Sequence, residues 1–237
     1  MQLFNIPNLL TLINLFSGCM AMVFALSYRL DWIPYCVAVS LVADFFDGMA
    51  ARALKTPQGV GKELDSLADV VSFGVLPSVV IFQLLFQYWE TRNMSEINTL
   101  ALSSPAFFIA LFAALRLAKF NIDERQTSGF IGLATPAATI FVIGVLLVFL
   151  HNSFELSQVI FKPATLYGIV AGLCYLMIAE VPMFSFKFKS LGWKGNEIQV
   201  IFILLVAVLV VTLKFAAVPL SVMLYVLLSL IQTLLKK

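Results

Sequence analysis

The chain has 237 residues, of which 61% are hydrophobic and 12% charged, and its formal net charge is +2. A charged share about half that of an ordinary soluble domain, with a mean hydropathy of +0.99, excludes a soluble globular domain, a disordered chain and a collagen-like one. At about 20 residues per transmembrane helix, it predicts an all-α polytopic membrane protein with room for seven or eight spans and no second soluble domain. The small net charge gives no reason to expect a nucleic-acid partner.

In chain order, Met1 to Asn8 carry no basic segment, so the first apolar run is expected to remain as a span rather than leave as a signal peptide. Apolar runs predict spans near 9–28, 33–53, 63–87, 101–120, 130–150, 164–182, 197–213 and 216–235. Only Lys214 to Pro219 separate the last two, which therefore form either a tight helical hairpin or one helix broken at Pro219. The basic residues test the layout. Arg52, Lys55, Lys62, Arg116, Lys119, Arg125, Lys187, Lys189, Lys194, Lys236 and Lys237 fall on one side of an eight-span arrangement, and Arg29, Arg92, Lys162 and Lys214 on the other. The richer side is expected to be cytoplasmic, together with both termini. Cys19, Cys36 and Cys174 stand apart in apolar runs and read as packing residues. His151 is the single histidine and receives no role. Trp32, Trp89 and Trp193 fall near span ends as interfacial anchors, and Gly168 and Gly172 form a small-residue pair suited to close helix packing.

Four acids stand out. Asp44 and Asp47 are three residues apart at the end of the second span, and Asp65 and Asp69 four apart at the start of the third. Both spacings place each pair on one helical face, and a short connection lets the two faces meet. Carboxylates within or beside a membrane helix are costly and mark function by default. Four of them would repel unless cations sat between, and an all-oxygen donor set suits Mg²⁺, Mn²⁺ or Ca²⁺. The plain structural reading is a set of caps and ion pairs with Arg52, Lys55 and Lys62. Against it stand Gly48, Ala51 and Gly61, small residues that permit close approach of a ligand. Arg52 adds a planar fork for phosphate. A cation transporter is a further alternative, but transporter acids usually sit mid-membrane on broken helices rather than beside a basic connection. Together the features point to chemistry on a phosphorylated lipid.

The stretch from Asp44 to Asp69, DFFDGMAARALKTPQGVGKELDSLAD, satisfies D-x2-D-G-x2-A-R-x8-G-x3-D-x3-D at every fixed position. In this it resembles the CDP-alcohol phosphatidyltransferases. The resemblance implies a six-helix membrane core (residues 1–190 here, with two additional helices in 191–237), a homodimer, and two divalent cations, Mg²⁺ or Mn²⁺. It also implies transfer of a phosphatidyl group from a CDP-linked lipid to an alcohol with release of CMP. By position it implies that Asp44 and Asp65 bridge both metals, that Asp47 binds the first and Asp69 the second, and that Asp69 is the general base. Asn8, Thr11, Gly48, Ala51, Arg52 and Gly61 would line the CDP-diacylglycerol site. Gln58 stands where such proteins often carry Ser or Thr. No Cys, Ser or His in the motif is placed as a covalent nucleophile, so direct displacement is expected.

The motif does not name the acceptor. Flanking stretches do resemble the membrane-type phosphatidylserine synthases of bacteria and archaea: Asn5 to Thr11, Asn14 to Gly18, Arg116 to Asn121, Phe130 to Ala137, and Phe184 to Ser190. Lys119 replaces an expected arginine and Ala134 an expected proline. The resemblance implies L-serine as acceptor, with Arg116, Lys119 and Asn121 in the serine site. Glycerol phosphate and inositol phosphate are the alternatives, and topology-setting charge is the plain reading of Arg116 and Lys119. Asn8 and Thr11 are equally readable as a helix cap. The run Lys187, Lys189, Lys194 suits anionic lipid. The expected setting is the inner membrane of a prokaryote, with the acids cytoplasmic.

Overall fold

A computed structural model describes residues 3–55, 59–123, 130–186 and 195–235. Gln58, Arg125, Lys187, Lys189, Trp193, Lys194, Lys236 and Lys237 lie outside the described residues. The protein is almost wholly helical, as its composition requires: backbone polar groups in lipid must pair within their own segment. It divides into two compact units, Met1–Leu117 and Ala118–Lys237.

In the first unit, α1 (Ile6–Leu26) starts three residues before the expected run. Asn5 caps it, accepting the Asn8 N–H at 2.8 Å through its side-chain oxygen, and Pro7 sits where a missing N–H costs nothing. The helix α2 (Ile33–Ala53) ends where Lys55 takes a left-handed φ of 49°. Next come α3 (Val60–Val70), a π-helical turn (Val71–Val75) and α4 (Leu76–Glu90), which run on as one 31-residue segment. Pro77 explains the π turn: its ring would press on the carbonyl of Phe73 in a regular helix, and a wider turn relieves that clash. This segment is the most buried of the candidate spans. It packs on α1, where Gly18 leaves room for Ser72. A short α5 (Glu96–Ser103), a 3₁₀ turn at Pro105 and α6 (Phe108–Ile122) complete the unit, with Gly74 seated against Ala113.

In the second unit, residues 130–134 are not the start of a span. Phe130–Ile131 (β1) pairs antiparallel with Pro182–Met183 (β2), and Gly132 adopts φ +77°. A side chain at Gly132 would meet the Met177 carbonyl at 2.7 Å. The fifth helix therefore begins only at Thr135 (α7, Thr135–Leu150), behind Pro136. After a single turn α8 (Ser157–Ile160), the sixth run is α9 (Pro163–Ile178), which ends four residues short of the expected limit because Pro182 belongs to β2. Both helices have 16 residues, fewer than a full span needs. The last two runs are separate helices, α10 (Glu197–Leu213) and α11 (Ala217–Leu235), because the chain leaves helical geometry at Lys214 (φ 48°, ψ −118°). Phe202 near the start of α10 lies 6.1 Å from Tyr225 midway along α11, so they form a hairpin. The Tyr225 hydroxyl donates to the Phe184 carbonyl at 3.0 Å and the Phe184 N–H donates to Ser229 Oγ at 3.3 Å, fastening the segment after β2 to α11.

Among the described residues, five segments are long and apolar enough to cross a membrane: Ile6–Leu26, Leu30–Ala53, Val60–Glu90, Glu96–Ile122 and Glu197–Leu235, the last containing the α10–α11 hairpin. Their outward faces carry large apolar residues such as Phe16, Phe45, Leu115 and Val211, as a chain solvated by lipid requires. All three cysteines are free, and His151 stacks on Phe215 at 3.9 Å. Nothing described lies within 4 Å of a side chain placed at Gly168 or Gly172, so the close packing expected of that pair is not made among the described residues.

The tightest helix contact in this unit is α7 on α11. A Cβ at Gly144 would stand 2.5 Å from Pro219 Cδ and 2.6 Å from its nitrogen. Gly144→Ala should cost about 1–3 kcal/mol through overpacking, read as a lower thermal midpoint in detergent. An unchanged midpoint would show that the two helices separate freely.

Candidate active site: an acidic centre on α2 and α3

All four acids lie in the first unit. Ligand oxygens of Asp44, Asp47 and Asp65 lie within 4.8 Å of one another. Helical spacing contributes to this: Asp44 and Asp47 project from one face of α2, and Asp65 on α3 meets them. Asp69 stands one turn further along α3. It is outside that group of three but faces the Asp44 carboxyl, and its Oδ1 accepts from Asn14 Nδ2 at 3.3 Å. Asp47 is buried, and its Oδ2 accepts from the Thr11 hydroxyl at 2.6 Å.

The ion pairs Arg29–Asp31 and Lys119–Glu180 lie elsewhere, and among the described residues neither Arg52 nor Lys55 forms one with the four acids. Oxygens this close repel: two unit charges 4.8 Å apart cost about 3.5 kcal/mol at an effective dielectric of about 20. Asp65 Oδ1 is buried and has no hydrogen-bond partner, although buried carboxylate oxygens are almost always satisfied. A hard divalent cation resolves both features, and the donor set is entirely oxygen. The residues present fit such an ion.

The small residues lie where a ligand would approach. The Arg52 guanidinium passes over Gly48, with Nη1 3.6 Å from where a Cβ would be, and Ala51 lies beside it on the last turn of α2. Gly61, on the first turn of α3, lies under the Asn8 side chain, whose Oδ1 would be 3.0 Å from a Cβ there. Asn8 is therefore not the cap of α1. Asn5 takes that part, while Asn8 donates to the Leu3 carbonyl at 2.9 Å and packs on α3. Thr11, one turn on, reaches Asp47 instead of capping.

Arg116, Lys119 and Asn121 lie on the last turns of α6, where the chain passes from the first unit to the second. Arg116 is buried at 6% exposure. Lys119 makes an exposed pair with Glu180 at 3.4 Å, a contact of small energy. Asn121 is five residues beyond Arg116 and so points about 140° away around the helix. The three do not share one helical face.

Sequence reasoning assigned no role to a set of polar residues behind the acids. Asn14 is fully buried in α1. Its side-chain oxygen accepts from Ser40, and its carbonyl accepts from Ser72 at 3.1 Å and Ser40 at 3.2 Å. Ser40 lies four residues before Asp44 and Ser72 three after Asp69, a helical periodicity that marks the same faces as the acids.

Comparison with known proteins identifies the family. The sequence model of the CDP-alcohol phosphatidyltransferase family matches residues 4–235. A CDP-diacylglycerol–serine O-phosphatidyltransferase of Helicobacter pylori strain J99 is 34% identical over 208 residues, covering 87% of this chain and 83% of the relative. The proteins of the same name from Bacillus subtilis (32% over 182 residues, 77% and 91%) and Methanocaldococcus jannaschii (33% over 180 residues, 76% and 74%) are similar to it as well. A match over nearly the whole length, with the acid motif complete and its carboxylates converged, places this membrane chain in the CDP-alcohol phosphatidyltransferase family.

Proposed function

We propose that this protein transfers the phosphatidyl group of CDP-diacylglycerol to the hydroxyl of L-serine, forming phosphatidylserine and CMP. The observation that carries the chemistry is the convergence of Asp44, Asp47 and Asp65, with a buried Asp65 oxygen lacking a partner and Asp69 one turn away. The serine assignment is supported by the names of the relatives.

Asp44, Asp47, Asp65 and Asp69 would hold two divalent cations, Mg²⁺ or Mn²⁺. Bound there, the ions supply charge neutralisation for the pyrophosphate and the departing CMP. Arg52 adds a guanidinium at the exposed end of α2, suited to a phosphate oxygen. Asn8, Thr11, Gly48, Ala51 and Gly61 form the surround of the nucleotide, their small or short side chains leaving the acids accessible. Asp69 takes the proton from the serine hydroxyl, which is a poor nucleophile until it is lost. The serine oxygen forms a bond to the phosphorus bearing diacylglycerol, and the bond from that phosphorus to the CMP oxygen breaks. Arg116 receives the serine carboxylate, with Lys119 and Asn121 nearby in sequence. The active centre and both termini face the cytoplasm of a prokaryotic cell, residues 1–190 form the catalytic core, and the protein acts as a homodimer in its membrane.

Direct displacement has its own test. With labelled CMP and CDP-diacylglycerol but no serine, no label should enter the lipid. Rapid exchange would indicate a covalent phosphatidyl-enzyme and overturn direct attack. For the acceptor site, a charge-assisted hydrogen bond to carboxylate contributes about 1.5–3 kcal/mol. Arg116→Ala should therefore raise the KM for serine by about 10- to 100-fold and leave that for CDP-diacylglycerol within about twofold. Equal increases in both would remove Arg116 from the serine site.

A further inference from the structure

We propose that Asn14 is a positioning residue for Asp69, with the direction of its amide set by Ser40. The inference rests on the reading of Asp69 as general base.

A carboxamide inside an apolar helix is costly unless every polar group finds a partner. Asn14 is fully buried, and its partners come from three different elements. Its Nδ2 donates to Asp69 Oδ1 on α3 at 3.3 Å, its Oδ1 accepts from the Ser40 hydroxyl on α2, and its carbonyl accepts from Ser72 in the π turn at 3.1 Å. Asn14 thereby bonds to both acid-bearing segments.

The direction of each bond matters. An amide can present either its oxygen or its NH₂ to a neighbour, and an ionised carboxylate only accepts. Ser40 donates to the Asn14 oxygen, which turns the NH₂ towards Asp69. Without Ser40 the amide is free to turn its oxygen on the carboxylate, which repels it. Ser72 fixes the backbone on which Asn14 stands, and it approaches that closely because a Cβ at Gly18, one turn along α1, would collide with its hydroxyl. Asp69 also faces the Asp44 carboxyl. A donor that secures one Asp69 oxygen stops the group swinging fully towards Asp44 and leaves the second oxygen to be aimed at the alcohol. Asn14 touches no reacting atom in this scheme; it acts through Asp69.

The test uses the full-length protein in detergent, with serine-dependent CMP release as readout. Asn14→Ala should lower kcat by about 30-fold or more, and Ser40→Ala by about 5-fold, with both KM values within about twofold of wild type. Because Ser40 acts through Asn14, adding Ser40→Ala to Asn14→Ala should change kcat by less than about twofold. A merely structural role would move KM and thermal midpoint together with kcat and would make the two changes multiply. Either of those results, or unchanged kcat in Ser40→Ala, would overturn the proposal. Ser40→Ala alone carries the test if Asn14→Ala does not fold, since it leaves every acid and Asn14 in place. Asp69→Asn, run alongside, separates the two levels. Substantial turnover there removes the base and this proposal with it. An inactive Asp69→Asn beside fully active Asn14 and Ser40 variants removes only the positioning role.

Discussion

Asp69→Asn should lower kcat by about 10²- to 10⁴-fold, the usual contribution of a positioned general base, while nucleotide binding and the thermal midpoint stay near wild type. The substitution is close to isosteric, and the amide oxygen of the new side chain still accepts from Asn14 Nδ2, which now meets Asp69 Oδ1 at 3.3 Å. What is lost is the ability to take a proton, together with one of the four charges that would hold the cations. Asp44, Asp47 and Asp65, the three acids whose oxygens converge within 4.8 Å, are untouched. The measurement is kcat for serine-dependent CMP release set beside calorimetric binding of the cytidine nucleotide. Turnover above about a tenth of wild type would remove Asp69 as the base; loss of nucleotide binding as well would make it chiefly a ligand.

The second large effect is on divalent cations. Removing them with a chelator should abolish turnover, and adding Mn²⁺ or Mg²⁺ should restore it. A readout independent of activity follows from the repulsion among the three carboxylates and the partnerless Asp65 oxygen. An ion bound only by the folded state stabilises it by about 2.7 kcal/mol at a concentration 100 times its Kd. Mn²⁺ should therefore raise the thermal midpoint of the metal-free protein. Asp65→Asn, which removes one charge from the cluster, should need at least about tenfold more Mn²⁺ for the same rise. A midpoint indifferent to Mn²⁺ would mean that the acids hold no ion.

The acid centre was legible because its chemistry is local. Four aspartates, three glycines and an arginine fall within 26 residues, and helical spacing alone says which face each aspartate shares. What escaped was set by contacts distant in sequence. Asn14 meets Ser40, Asp69 and Ser72 across 26, 55 and 58 residues, and nothing in the apolar run around it announces which of them it will face. Lys119 finds Glu180 61 residues away. Phe130 and Ile131 read as the start of a span because apolar residues suit strand and helix alike, and only their pairing with Met183 and Pro182 decides between them. Gly132 and Pro136 were the local signs that the helix begins late. At the N-terminus the cap was readable at Asn8 or Thr11, whereas Asn5 makes it and Asn8 lies over Gly61. The last two runs could be read as a hairpin or as a broken helix. The Lys214 backbone and the Phe202–Tyr225 contact decide for the hairpin.

The most direct measurement is CMP release from CDP-diacylglycerol by the purified, Mn²⁺- or Mg²⁺-loaded protein, with one acceptor alcohol supplied at a time. The account predicts CMP and phosphatidylserine in equal amounts with L-serine, and neither with glycerol phosphate or inositol phosphate. Turnover only with a phosphorylated polyol would contradict the serine assignment while leaving the acid centre its role. No CMP with any acceptor, from folded and metal-loaded protein, would contradict the account as a whole.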